Sequence, residues 1–222
     1  MQKTSRVTRD RVHERLDTET ASRILDSAIE LFAERGFSDV TVRDIAEQAG
    51  ANPAAISYYF GAKEQLIRRS IQSVVAPLNE KRLAALDLAE AKSACTIADI
   101  VRALVVPTVT ACMQSSGPDR HYARVLVLSF ALRQQFVDDI MAEQNDRIAL
   151  RFVDALTRAS PSRDRARMFW CFDFMIGATM HILLDSFRGN RLRRLSGGAA
   201  DTSDSDAIIS ELVKFIAEGT GS

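Results

Sequence analysis

Apolar residues at Ile24, Ala28, Leu31 and Phe32 recur with the three-to-four-residue period of a helix that buries one face. Thr18 or Thr20 is placed to cap its start. Gly36 suits the left-handed position just past its end, with Phe37 next in line to pack back on Phe32. A second, short helix is announced by several agreeing signals. Thr41 is a candidate N-cap with Asp44 three residues on, and Val40 and Ile45 bracket the start as a hydrophobic staple. That helix runs out at Gly50. Only Ala51 and Asn52 separate it from a third start, where Asn52 caps and Pro53 sits at the first helical position, at which a missing N–H costs nothing. The third helix, PAAISYYF, ends at Gly61. Two short helices joined by a tight glycine-containing turn form a helix-turn-helix pattern.

Past Lys63, the residues Leu66, Ile67, Ile71, Val74 and Val75 continue a fourth helix towards Pro77. Further helical segments are expected at about 80–90, 97–115, 119–134, 136–159, 163–188 and 206–217. Breaks fall at Ser115–Pro118, at Ser160-Pro161-Ser162, and in a Gly/Ser/Asp-rich loop at 196–206, where disorder is most expected. No strand-like alternation and no internal repeat is visible, so the fold class is all-α, with an N-terminal three-helix helix-turn-helix domain and a larger C-terminal helical part.

The chain has 222 residues, 46% hydrophobic and 26% charged, an ordinary globular balance with room for a small and a larger domain. Uninterrupted apolar runs of membrane length are not seen. The most apolar stretch, Met168 to Leu184, is broken by Asp173 and His181 and reads as a buried helix. The first residues lack the apolar segment of a secretory signal, and Cys95, Cys112 and Cys171 lie apart in apolar surroundings. A cytoplasmic protein with reduced core thiols is expected.

Zero net charge does not by itself point to nucleic acid. Its distribution does more: residues 1–16 carry five basic and two acidic side chains, a net +3, whereas residues 17–65 carry a net −5. A basic, flexible arm over 1–17 would help any grip on DNA, which otherwise depends on where individual side chains stand. In a major groove a recognition helix enters N-terminus first. Ala54 and Ala55 would then bring small side chains to base edges or thymine methyls, and Ser57, Tyr58 and Tyr59 would offer hydroxyls to bases or phosphates. Asn52 and Pro53 form the tip, Thr41 and Arg43 flank the groove, and Lys63 at the next helix start meets a phosphate. The competing reading leaves the tyrosines half-buried and the polar groups merely solvated.

The stretch TASRILDSAIELFAERGFSDVTVRDIAEQAGANPAAISYYFGAKEQLI resembles the DNA-binding region of TetR-family regulators over about residues 18–68. The marks are Ile24-Leu25, Leu31-Phe32, Gly36-Phe37, Thr41, Ile45-Ala46, Ala49-Gly50, Tyr59-Phe60 and Lys63-Glu64. The resemblance implies a DNA-binding domain over 18–65 and a ligand-binding and dimerisation domain over 66–222. It also implies a homodimer on operator DNA, most often a repressor, that lets go when a small effector binds. Residues matching Thr41, Arg43, Ala54, Ala55, Ser57, Tyr58, Tyr59 and Lys63 commonly face DNA in such proteins. Ala55, Ser57 and Ala62 stand where Thr, Tyr and a capping Ser are common, which alters base preference and weakens the cap of the fourth helix.

By the same resemblance the last two long helices pair two chains. The all-round apolar RMFWCFDFMIGATMHILLD, with a stripe of Ile208, Leu212 and Phe215 beside Ile209, Val213 and Ile216, fits a four-helix seam. Trp170, Phe174, Gly177 and His181 repeat along one face, as do Tyr122, Leu126 and Phe130. These rows are candidate pocket walls or plain core. Asp173 in an apolar helix is either hydrogen-bonded or a polar group of the pocket. NPAAISYYFGAK, PLNEKRLAAL and the FW…FMIGA helix resemble the subgroup that responds to fatty acids or their CoA esters.

An enzyme is disfavoured, because zinc-protease and Walker-type motifs are absent and His13, His121 and His181 lie far apart. No cofactor and no metal is expected. A helical adaptor would share the fold but leave the start of PAAISYYF without a purpose.

Overall fold

The computed structural model describes residues 3–113, 118–131, 134–187 and 189–221; within these, the side chains at 3–17, 118–120, 122, 130 and 220–221 lie outside the description. The described residues form ten helices and no strand: α1 (Lys3–Arg35), α2 (Val42–Gln48), α3 (Pro53–Phe60), α4 (Lys63–Glu90), α5 (Ile97–Met113), α6 (Pro118–Ala131), α7 (Gln135–Ala159), α8 (Arg165–Phe187), α9 (Arg191–Leu195) and α10 (Ser205–Gly221).

Two compact units divide the chain, Met1–Ile71 and Gln72–Ser222, with the division inside α4 rather than ahead of Leu66. In the first unit, Ile24, Ala28, Leu31 and Phe32 of α1 are buried together with Phe37, Val40, Ile45 and Ile56. Full burial of each large aliphatic side chain contributes about 1.5–3 kcal/mol. The backbone of α1 starts at Lys3, so Thr18 and Thr20 lie inside the helix and cap nothing. The arm's basic side chains, Lys3 to Arg15, lie outside the described residues.

In the second unit α5 is central and packs against α6, α7, α8 and α10. Two expectations are corrected here. The segment at 80–90 is not a separate helix, because α4 continues through Pro77 to Glu90. Proline removes one helical hydrogen bond, and here the apolar stripe of Val75, Leu78, Leu86 and Ala89, all buried, carries the helix across the gap. Nor is the 196–206 loop loose. Buried Thr202 donates its hydroxyl proton at 2.9 Å from Asp185 Oδ2 and 2.8 Å from Asn190 Oδ1. Asp201 Oδ1 accepts from the Ser203 backbone N–H (2.8 Å) and hydroxyl (2.6 Å). These bonds, led by the Ser203 hydroxyl, hold the Asp201 carboxyl down at about 2.

By length and mean hydropathy α8 passes for a membrane-crossing helix. In the chain it buries Met168, Cys171, Met175, Thr179, Met180 and Leu183. Its remaining face is open. Within the single chain it is therefore covered on one side only.

Candidate DNA-reading helix and ligand cavity

The helix-turn-helix is held by its caps. Thr41 accepts the Asp44 backbone N–H at 3.2 Å, while the Asp44 carboxylate accepts the Thr41 backbone N–H and the Thr41 hydroxyl, both at 2.7 Å. The Thr41 hydroxyl, then its N–H, pull the Asp44 carboxyl below its ordinary value. At the other end of α2 the Ala51 N–H reaches back to the Ala46 carbonyl (2.9 Å) and the Gly50 N–H to that of Glu47 (3.2 Å). This is the Schellman pattern, with Gly50 at φ +58. Asn52 then starts α3, its side chain accepting the Ala54 N–H at 2.9 Å.

Within α3 only Ile56 is buried. Pro53, Ala54, Ser57 and Tyr58 are exposed, as are Asn52 before them and Thr41 and Arg43 on the neighbouring helix start. Tyr58 is 78% exposed, and its ring lies edge-on to that of Tyr59, with centroids 4.9 Å apart. Ala55, Tyr59 and Lys63 are partly covered. Lys63 donates to the Ser38 carbonyl at 3.4 Å, which leaves two of its three ammonium protons for another acceptor. Ala62 accepts from the Gln65 and Leu66 N–H groups through its backbone but has no side-chain oxygen with which to cap α4.

A cavity of about 530 Å³ lies in the second unit between α4, α5, α7 and α8. Leu104, Met141, Ile148, Phe172, Ile176 and Met180 form apolar walls, and Asn145, Asp146 and Asp173 add polar groups. Of the expected wall residues, Trp170 lines it. Leu126 is instead a buried core residue, and Phe174 and His181 face outward. The Tyr122 and Phe130 side chains lie outside the described residues.

The row Trp170, Phe174, Gly177 and His181 is therefore not core, and beyond Trp170 it does not line this cavity. Trp170 (61%) and Phe174 (60%) are widely exposed, with ring centroids 5.8 Å apart, and Phe215 of α10 is 70% exposed. A side chain added at Gly177 would meet nothing within 4 Å. Trp170 and Phe174 thus form an exposed aromatic pair, the kind of apolar surface that contact with another molecule covers. Ile208, Leu212, Val213 and Ile216 turn the other way and are buried in the chain itself.

Sequence reasoning missed Arg82. It lines the cavity, is 4% exposed, and donates from Nε and Nη2 to the Thr108 hydroxyl (3.0 and 2.9 Å) and from Nη1 to Asn79 Oδ1 (3.0 Å). Asn79 in turn donates to the Gln144 carbonyl (3.0 Å) and Asn145 Oδ1 (3.2 Å). Burial brings the guanidinium down to about 10, still cationic at neutral pH, and holds the nearby Cys112 thiol up at about 12. A signal was present. Arg82 interrupts the apolar stripe Val75, Leu78, Leu86, Ala89 at helical spacing, where a solvated arginine has no place.

Residues 24–69 match the family of bacterial regulatory proteins, tetR family, and residues 102–219 match the tetracyclin repressor-like C-terminal domain. The chain is 28% identical over 145 residues to the HTH-type transcriptional regulator BetI of Rhizobium meliloti (strain 1021), covering 65% of this chain and 68% of that one. Its match to BetI of Brucella suis biovar 1 covers only 34% of that protein. The fold is similar to that of the transcriptional regulator FadR of Bacillus subtilis in complex with stearoyl-CoA (TM-score 0.66, 16% identity, 89% and 98% of the two chains). It is also similar to that of a Saccharomonospora viridis regulator in complex with choline (TM-score 0.62, 20% identity, 90% and 96%). With its reading head and more than half of its length both accounted for by the same group of proteins, the chain belongs to the TetR family of transcriptional regulators.

Proposed function

We propose that the protein is a homodimeric repressor that binds a pseudo-palindromic operator and leaves it when a small, mainly apolar effector fills the second unit. The observation that carries this reading is α3, an eight-residue helix with one buried side chain and an otherwise presented surface. Ala54, Ala55 and Ser57 approach base edges. Arg43, Tyr58, Tyr59 and Lys63 meet the backbone, with Asn52 and Pro53 at the tip. The exposed aromatic face of α8 and Phe215 pair the two copies. A protein acting on chromosomal DNA in this way works in the cytoplasm.

The effector reading rests on the cavity, whose size falls in the range of small-molecule sites and whose walls are mostly apolar. A fatty acid or an acyl-CoA suits such walls. The two structural neighbours hold chemically different ligands, stearoyl-CoA and choline, so neither is transferred by likeness of fold. α4 contributes Lys63 to the first unit and Arg82 to the cavity of the second, which makes it the element through which filling is felt at the DNA. Release then requires the effector to bind the operator-competent and incompetent states with different affinity.

A gel shift and footprint with the DNA upstream of the protein's own gene tests the reading. Two protected half-sites about one helical turn, or a small multiple of it, apart are expected. No specific shift, protection of a single half-site, or a monomer at micromolar concentration by sedimentation overturns it.

A further inference from the structure

We propose that Arg82 is an anion anchor, so that the cavity takes an amphiphile whose compact oxyanion head, a carboxylate or a phosphate monoester, docks on the guanidinium while its apolar body lies along the walls. This rests on the reading of the cavity as the effector site and deepens it, because it separates free acids from neutral or cationic ligands.

Three observations converge on it. Arg82 is buried, yet its partners, Thr108 and Asn79, are neutral. No carboxylate lies within salt-bridge distance of it among the described residues, where other arginines of the unit do find one, as Arg151 does with Asp87 at 2.9 Å. A buried charge is ordinarily paired. Secondly, Arg82 lines the cavity and is the one cation among the described residues that do. Three of its five N–H groups are engaged by Thr108 and Asn79, which leaves donors for a bound anion. Thirdly, these neutral bonds fix the guanidinium in place, so its planar fork is preorganised for an oxyanion. Asp146 and Asp173 also line the cavity, but both are exposed to water, which screens them. The buried end is therefore electropositive and unfavourable to a cation.

A structural tie between α4 and α5 is the competing role, and ligand charge distinguishes the two. Calorimetry on the DNA-free protein compares decanoate, decyl phosphate, decanol and decyltrimethylammonium. At least one anion is expected to bind on the order of ten- to a hundredfold more tightly than decanol, as a hydrogen bond to a charged partner implies. The cation is expected to bind no better than decanol. Decanoate alone showing the preference identifies a carboxylate site, and decyl phosphate alone a phosphate site. In Arg82→Met the preference for the anion disappears while decanol binding persists, and Arg82→Lys retains a reduced preference. Should Arg82→Met not fold, the wild-type series still decides, since among the described residues no other cation lines the cavity to produce anion selectivity. The proposal is overturned if decanol or the cation binds as tightly as both anions, if Arg82→Met keeps the full preference, or if none of the probes binds. Operator binding by the ligand-free protein does not depend on any of these outcomes, so a failed anchor and a failed repressor reading are told apart.

Discussion

The Thr41 hydroxyl is already committed to Asp44: it donates to the carboxylate at 2.7 Å and accepts the Asp44 N–H at 3.2 Å. A phosphate needs a donor, and the hydroxyl proton is already given to the Asp44 carboxylate. Thr41→Ala is thus expected to cost about 1 kcal/mol of stability through the lost cap, with Thr41→Ser close to wild type in both stability and operator affinity. Thermal melts alongside binding curves check this. A Thr41→Ala protein of unchanged stability but much weaker binding would restore Thr41 as a direct DNA contact.

Lys63 and Ala55 separate the two kinds of DNA contact. Lys63→Ala should weaken binding to operator and random DNA alike and lower the slope of log affinity against log salt by about one. Tyr59→Phe should also act on all sequences equally. Ala55→Glu, by contrast, should abolish specific binding while circular dichroism stays unchanged. Full operator affinity in that variant refutes the placement of Ala55 at a base edge.

Phe174 is predicted to hold the dimer rather than the ligand. It is 60% exposed and does not line the cavity. Phe174→Asp should shift the protein towards monomer in sedimentation and reduce operator affinity, with decanoate binding by the monomer largely kept. A stable dimer in that variant moves the seam elsewhere.

How far the sequence could be read follows from what each feature depends on. The caps at Thr41 and Asn52, the glycine ends at Gly36 and Gly50, and the Phe32–Phe37 contact (centroids 5.4 Å) are all legible, because each is decided by residues within a few positions. The outward aromatic row of α8 is not, since periodicity marks an apolar face without saying whether the chain or a partner covers it. Arg82 is legible only as an interruption of the apolar stripe of α4; its partners Thr108 and Asn79 become visible once the neighbouring helices enclose it. The loop at 196–206 looks loose by composition, yet its Thr202 is bonded to Asp185 and Asn190, which precede the loop in the chain.

Pro77 lies inside α4, which continues to Glu90. If the missing hydrogen bond there gives the helix a second shape, Pro77→Ala should reduce the effector-induced loss of operator affinity, expected at roughly 5- to 150-fold in the wild type. Affinities measured with and without effector for both proteins decide the matter. An equal loss in the two removes the proline from the mechanism.

The junction between α2 and α3 is closed by backbone-to-backbone bonds from Gly50 and Ala51, and its tightest point requires only that position 50 accept a positive φ. None of the side chains proposed to read bases takes part in it. Ala54, Ala55 and Ser57 can therefore be exchanged over evolutionary time without tilting the helix that presents them. A lineage can retarget such a protein to new promoters by changing a few letters, while the frame that aims them stays the same.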